Sequence, residues 1–413
     1  MTQTEERRER YVQMTYVKET ATGKGLNQIL TMEETGPNFK VTEGRVDIKI
    51  GNGKPRSYFL PISQWETFLS TKINCGWIIT KKQKGRDLKK AAFSEIRDES
   101  VRQVVTALIA YTKQMMSENY TAHVEDISDE MIALGTQILK ELSTGYEKMS
   151  VAEFNIKLKT LYSAIPRRIK KLSDLLARDK TELLSILERE QETFELMTAA
   201  VKSAHLGAVE GKTILMANQL EWRDATEEEY DWIRKLMKGN ANRLNKAWRV
   251  KNLVTQKRFD DFCAKEELSE EDGGISHLFH GSKHEAWWSI ITNGLVIDPE
   301  RFGAAITGKA YGYGTYFAPD AIKSFGYTSI RGSKWANGSS ECGYMGIYRV
   351  ATGSEEKRFS GSCNSSLSWN NLQKEKPGAL CTWAKARHSG FIMDEVIVYQ
   401  DFQDTIEYLL EVR

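Results

Sequence analysis

Apolar and polar residues alternate along residues 11–17 (YVQMTYV), 39–42 (FKVT) and 46–50 (VDIKI). That is the period of a strand with one buried face. Gly51-Asn52-Gly53 follows the third run as a turn. Residues 63–69 (SQWETFL) then begin like a capped helix, with Trp65, Phe68 and Leu69 spaced to face a core. Residues 75–80 (CGWIIT) give another strand, so residues 11 to about 90 read as a small β-rich module. Over residues 92–115 the period lengthens to that of a helix, through Phe93, Ile96, Val101, Val104, Val105, Leu108 and Ile109. Ser128 starts another helix, carrying Met131, Leu134, Ile138 and Leu142 on one face. Ser150 and Glu153 form a capping box ahead of Phe154, Ile156, Leu158 and Leu161. Pro166 interrupts the pattern, which resumes through Leu172, Leu175, Leu176, Leu183, Leu184, Leu187, Phe194 and Met197. Together these predict a small helical bundle.

The pattern changes again after residue 203. Residues 214–216 and 220–222 suggest a strand, and residues 248–254 suggest a second. Residues 227–238 make a helix with an acidic start and a basic end, which suits the helix dipole. Residues 266–272 read as an acidic loop and 277–280 as a strand ending at Gly281. Trp287, Trp288, Ile290, Ile291 and Leu295 give a short helix stopped by Asn293-Gly294. A turn at 339–343 precedes the strand 344–350, and residues 361–390 read as a loop before Glu395.

A chain of 413 residues is long enough for two or three domains, and 40% hydrophobic content supplies their cores. Lys+Arg at 58 nearly cancel Asp+Glu at 56, so charge matters only locally. Residues 51–120 carry twelve basic side chains against six acidic ones, densest over residues 81–90 (KKQKGRDLKK). Such a run is a solvated loop or, beside Trp77 and Arg45, a contact for phosphate backbone. The five cysteines are scattered and none forms a CxxC pair, which suggests neither disulfide framework nor zinc site and fits a reducing compartment. A charged N-terminus and the lack of any apolar run near ~20 residues predict a soluble intracellular protein with no membrane partner.

Four segments invite chemistry. His280-Gly281 sits at a strand-to-helix junction, where glycine lets backbone approach a ligand. Residues 303–310 (GAAITGKA) nearly match a P-loop, but Ala310 lacks the hydroxyl that magnesium needs and no helix follows. Gly312-Tyr313-Gly314 lacks the third glycine of a dinucleotide fingerprint. Glu395 precedes the apolar run VIVY, and by spacing alone it is a charge at the mouth of a buried strand.

Set in order, however, these motifs resemble the catalytic domain of poly(ADP-ribose) polymerases over roughly residues 206–413. The likeness rests on His280-Gly281-Ser282, on 312–318 (GYGTYFA) with Lys323-Ser324 and Tyr327, and on Asp394-Glu395 with VIVY and the later Tyr408. Upstream, residues 38–46 (NFKVTEGRV) and Cys75-Gly76-Trp77 resemble a WGR domain, with Glu43 where the family has its signature Trp. Residues 119–205 resemble, in position, the helical regulatory subdomain of the DNA-dependent members. The resemblance therefore implies an α+β multidomain chain. It would comprise a WGR-like module over 1–118, possibly DNA-binding, an all-α helical regulatory subdomain over 119–205 and a mixed α+β ADP-ribosyltransferase fold over 206–413.

The resemblance also implies a function. The chain would cleave NAD+ at the nicotinamide–ribose bond and transfer ADP-ribose to protein or nucleic-acid acceptors, itself included. DNA ends or nicks would stimulate it and the helical subdomain would restrain it. Catalytic roles fall on Glu395, His280 and Tyr316. Glu395 would bind a ribose hydroxyl, stabilise the oxocarbenium-like centre and polarise the acceptor hydroxyl. The NAD+-binding set is His280, Gly281, Ser282, Tyr316, Phe317, Ala318, Lys323, Ser324 and Tyr327, with the tyrosines on the two faces of the nicotinamide ring. Arg45, Trp77, Lys81 and Lys82 are the DNA-contacting candidates, and no metal is implied. Counted without gaps from His280, the family's adenosine-contacting Asn and Arg fall on Ala286 and Val296, so either Arg301 compensates or the affinity for the cofactor is lower. Localisation would be nuclear in a eukaryote and cytoplasmic or nucleoid-associated in a bacterium. A mono-ADP-ribosyltransferase and a catalytically silent DNA-end-binding scaffold stay open as alternatives.

Overall fold

The alternation near the N-terminus is realised as an antiparallel sheet in the computed structural model, which describes residues 10–46, 55–82, 93–122, 124–205, 211–295, 310–312 and 314–413. Its strands are β1 (Tyr11–Glu19), β2 (Gly25–Thr35), β3 (Asn38–Arg45), β4 (Arg56–Pro61) and β5 (Ile78–Lys81), in the order β4-β3-β2-β1-β5. Helix α1 (Trp65–Asn74) covers one face, where Met14, Leu30, Met32, Phe39, Val41, Trp65 and Trp77 form a core. The strand expected over 75–80 begins only at Ile78, because Gly76, at φ +89°, turns the chain out of α1. The turn expected at 51–53, and most of the strand expected before it, lie outside the described residues.

Helices α2 (Glu99–Asn119), α3 (Asp129–Gly145), α4 (Val151–Ala164) and α5 (Leu183–His205) follow. The Ser150–Glu153 box is formed: Glu153 donates its backbone N–H to Ser150 Oγ at 3.2 Å and accepts from the Ser150 N–H at 2.8 Å. The sheet is fastened to α4, since Val17 N–H donates to Ser163 Oγ at 3.1 Å and Thr15 Oγ1 donates to the Ser163 carbonyl. The described residues up to 82 and 116–201 form one compact unit. Residues 93–115 and those from 202 onward form the other.

The second unit contains α6 (Ile214–Ala217), β6 (Leu220–Asp224), α7 (Glu227–Met237), β7 (Leu244–Asn252), α8 (Leu253–Lys265), β8 (Ile275–Ser282) and α9 (His284–Asn293). After these come β9 (Thr315–Phe317), α10 (Ala321–Phe325), β10 (Gly343–Ala351), β11 (Arg358–Phe359), α11 (Trp369–Glu375), β12 (Cys381–Ala384), β13 (Glu395–Val398) and β14 (Asp404–Val412). They build two sheets, ordered β6-β7-β14-β10-β8 and β11-β12-β13-β9. Trp248, Val250, Leu278, Trp287, Phe317, Tyr348, Val396 and Val398 share one core with Val101, Val104, Val105 and Leu108 of α2. Phe279, Phe325, Met345, Ile347 and Leu410 share another.

Three expectations are corrected here. Residues 214–216 are helical, because Thr213 Oγ1 accepts from Met216 N–H and caps them. The strand expected to reach Val254 stops at Asn252, whose Oδ1 accepts from Val254 and Thr255 N–H at 3.0 and 3.2 Å and so starts α8. The expected loop over 361–390 contains α11 and β12.

Candidate active site

The site forms where the two sheets of the second unit join. On the edge strand β8, Phe279 exchanges both backbone hydrogen bonds with Ala318, each 2.8 Å long. Beside that bridge, His280 Nδ1 lies 3.0 Å from the Tyr316 carbonyl oxygen. A carbonyl only accepts, so Nδ1 carries a proton and donates it to that oxygen. The ring stands edge-on among Trp287, Phe317 and Tyr348.

Gly281 explains how β8 and α10 come together. A Cβ on this residue would lie 2.0 Å from the Ser324 carbonyl oxygen, so no larger side chain fits without moving the helix. Asp320 Oδ1 caps α10 by accepting from Ile322 N–H at 3.0 Å. This short helix thus sets Lys323 and Ser324 against the His280-Gly281 end of β8, both of them buried.

Glu395 enters from β13, the neighbour of β9. Asp394 anchors the approach, accepting from Ala386 N–H at 2.8 Å and from Trp383 Nε1–H at 3.2 Å. Glu395 Oε1 lies 2.5 Å from Lys323 Nζ, and both side chains are only 8% exposed. The same ammonium reaches the Met393 carbonyl at 3.4 Å and sits 4.6 Å from the centre of the Phe391 ring. Burial pushes the Glu395 carboxyl above its ordinary range, and the Lys323 ammonium pulls it part of the way back.

Two tyrosines lie within electrostatic reach of that carboxylate. Burial, with the Glu395 charge adding to it, lifts the Tyr327 phenol to about 12. Burial is also the main reason the Tyr316 phenol is raised, with Glu395 among the lesser contributors. The Tyr316 hydroxyl accepts from Tyr311 N–H at 2.9 Å and donates to the Gly312 carbonyl at 3.1 Å, so it holds the turn ahead of β9. Tyr327 is 40% exposed and stacks on Trp335, with ring centres 4.7 Å apart and planes at 19°.

Glycine in the 312–314 segment serves packing. A Cβ on Gly312, at φ +70°, would meet the Leu367 carbonyl oxygen at 2.0 Å, and one on Gly314 would meet that of Val398 at 2.5 Å. Of the proposed NAD+ contacts, Phe317 is a core side chain. Ala318 has both backbone groups committed to Phe279. Both lie where a bridge joins the end of β9 to β8. Ser282 closes β8, and its carbonyl accepts from Trp287 Nε1–H at 3.2 Å. The near-P-loop over 303–309, Val296 and Arg301 lie outside the described residues. Phe391 and Trp335 stand at the site although no sequence motif marks them; their aromatic character is the one available signal.

In the first unit, Glu43 on β3 is half of an ion pair. Lys72 Nζ is 2.8 Å from its Oε1, and the Tyr58 hydroxyl donates to the same oxygen at 3.2 Å. Burial and then Glu43 push the Tyr58 phenol up to about 12. Trp77, one of the candidate nucleic-acid contacts, is only 9% exposed and stacks on Tyr16 at 5.6 Å with Lys72 Nζ over its ring. Arg45 ends β3, while Lys81 ends β5 and is followed by exposed Lys82.

Among the described residues no helix is long and apolar enough to cross a membrane, and no cluster of His, Cys, Asp or Glu is suited to a metal ion. Residues 227–413 match the family model for the poly(ADP-ribose) polymerase catalytic domain. The chain is also 23% identical over 176 residues to uncharacterized protein 101L of Invertebrate iridescent virus 6, covering 41% of this chain and 69% of the viral protein. Residues 227–413 span β8, α10 and β13, which bring His280, Ser324 and Glu395 to the junction of the two sheets. Residues 227–413 thus belong to the poly(ADP-ribose) polymerase catalytic-domain family, whose members are NAD+-dependent ADP-ribosyltransferases.

Proposed function

We propose that this chain builds poly(ADP-ribose) on acceptor proteins, itself included, and that Glu395 is the carboxylate which extends the chain. The bond between the nicotinamide nitrogen and the ribose anomeric carbon breaks, and its electron pair leaves with nicotinamide. The acceptor hydroxyl oxygen bonds to that carbon, and its proton passes to the Glu395 carboxylate. A buried anion suits both the cationic centre and the hydroxyl. His280 Nε2 would accept a hydroxyl of the adenosine ribose. The Gly281 backbone and the Ser324 hydroxyl would take the carboxamide, and Tyr327 would stack on the nicotinamide ring. Support for the NAD+ fit comes from Gly281, whose missing Cβ brings α10 against β8.

One observation carries the proposal: an almost buried Glu395 carboxylate, paired with Lys323 and close enough to Tyr316 and Tyr327 to bias their phenols. The proposal extends to stimulation by DNA strand breaks, with Arg45, Lys81 and Lys82 as phosphate contacts, and to restraint by residues 119–205. Incubation with adenine-labelled NAD+, with and without nicked duplex, tests it. A ladder of labelled products that grows with DNA is expected. A single discrete band would indicate mono-transfer, and no label in either condition would leave only a scaffold.

A further inference from the structure

Tyr327 shares its exposed face of the site with an indole that no motif announces. Trp335 is 42% exposed, yet its setting is built. Its backbone N–H donates to the Gly326 carbonyl at 2.9 Å, and Ala336 N–H donates to the same oxygen at 3.1 Å. The loop that carries it is closed by Arg331 N–H to the Ser340 carbonyl at 2.8 Å and by Ser340 N–H to the Ser329 carbonyl at 3.0 Å. Gly326 makes room, since a Cβ there would lie 2.2 Å from Trp335 Cε3. Lys334 Nζ stands 5.2 Å from the indole centre. A ring as exposed as that of Tyr327 has freedom to turn, and a near-parallel indole on one face removes that freedom.

We infer that Trp335 is a positioning residue: it holds the Tyr327 ring in the orientation that stacks on the nicotinamide ring of NAD+ and of the departing product. This rests on the assignment of Tyr327 as the nicotinamide-stacking residue. A pre-oriented platform strengthens binding by removing the ordering cost from the association step.

The test uses the full chain carrying Trp335→Leu, Trp335→Phe or Tyr327→Ala, with NAD+ as substrate and free nicotinamide as inhibitor. Trp335→Leu keeps bulk but removes the stack. It should raise the KM for NAD+ and the Ki for nicotinamide together by about fivefold, the size of one aromatic pair, with kcat within about twofold of the parent. Trp335→Phe should restore both constants to within about twofold. Nicotinamide should also quench fluorescence that is present in the parent and absent from Trp335→Phe. The inference is overturned if Tyr327→Ala raises both constants while Trp335→Leu leaves them unchanged, or if Trp335→Phe loses as much as Trp335→Leu. If Tyr327→Ala also changes neither constant, the stacking assignment beneath the inference fails instead.

Discussion

Removing the ammonium beside Glu395 isolates what that carboxylate does. Lys323→Met leaves a buried carboxylate without its partner, which costs about 3 kcal/mol of stability. The sign of the accompanying pH effect follows from the pull that is lost. Burial already raises the Glu395 carboxyl, and Lys323 opposes that rise. Without the cation the carboxyl protonates at higher pH, so the acid limb of the transferase pH profile should move upward. A profile measured from pH 5 to 9 that kept its acid limb in Lys323→Met would assign the limb to another group. His280, Tyr316 and Glu395 were legible because they stand in motifs whose order along the chain resembles a family. The contact between Lys323 and Glu395 was not, because it joins a short helix to a strand brought alongside by tertiary folding. Trp335 was invisible for a similar reason: its partner is a ring set by a loop closed through backbone hydrogen bonds, which leave no trace in side-chain pattern.

A single glycine sets how two elements meet. The β8 backbone at Gly281 touches the α10 backbone at Ser324, and a methyl group would intrude to 2.0 Å from the Ser324 oxygen. Gly281→Ala therefore has to move α10, and with it Lys323, Ser324 and the ring that follows. A misplacement of about 1 Å costs on the order of 100-fold in rate, so kcat/KM should fall by about that factor while the fold survives. Circular dichroism and a thermal melt beside the kinetics check both halves; unchanged kcat/KM would contradict the close approach. Elements with a strong period or a cap were readable in advance, as with α3 behind Ser128 and α4 behind Ser150. The misread ones lacked that signal. The apolar run at 214–216 fits a strand or one helical turn equally well, and Thr213 decides for the turn. Leu253 and Val254 open α8 on its exposed side, where they blur the end of β7.

At the scale of the whole molecule, composition hid the charge that matters. Acidic and basic residues cancel overall, while the basic excess collects near β5 and the segment after it. If that region holds DNA, reversing Lys81 and Lys82 to Glu should weaken binding to a nicked duplex and flatten its salt dependence. The slope of log K against log salt should fall by about 2. Anisotropy titrations across a salt series measure this, and an unchanged slope would place the DNA contact elsewhere. The central claim concerns the second unit and is tested most directly by product length. Glu395→Gln keeps the shape of the side chain and removes its charge. Run beside the parent with labelled NAD+ on a sequencing gel, it should still release nicotinamide and label the acceptor slowly, while products longer than one ADP-ribose unit disappear. A Glu395→Gln variant that makes chains as long as the parent's would contradict the account.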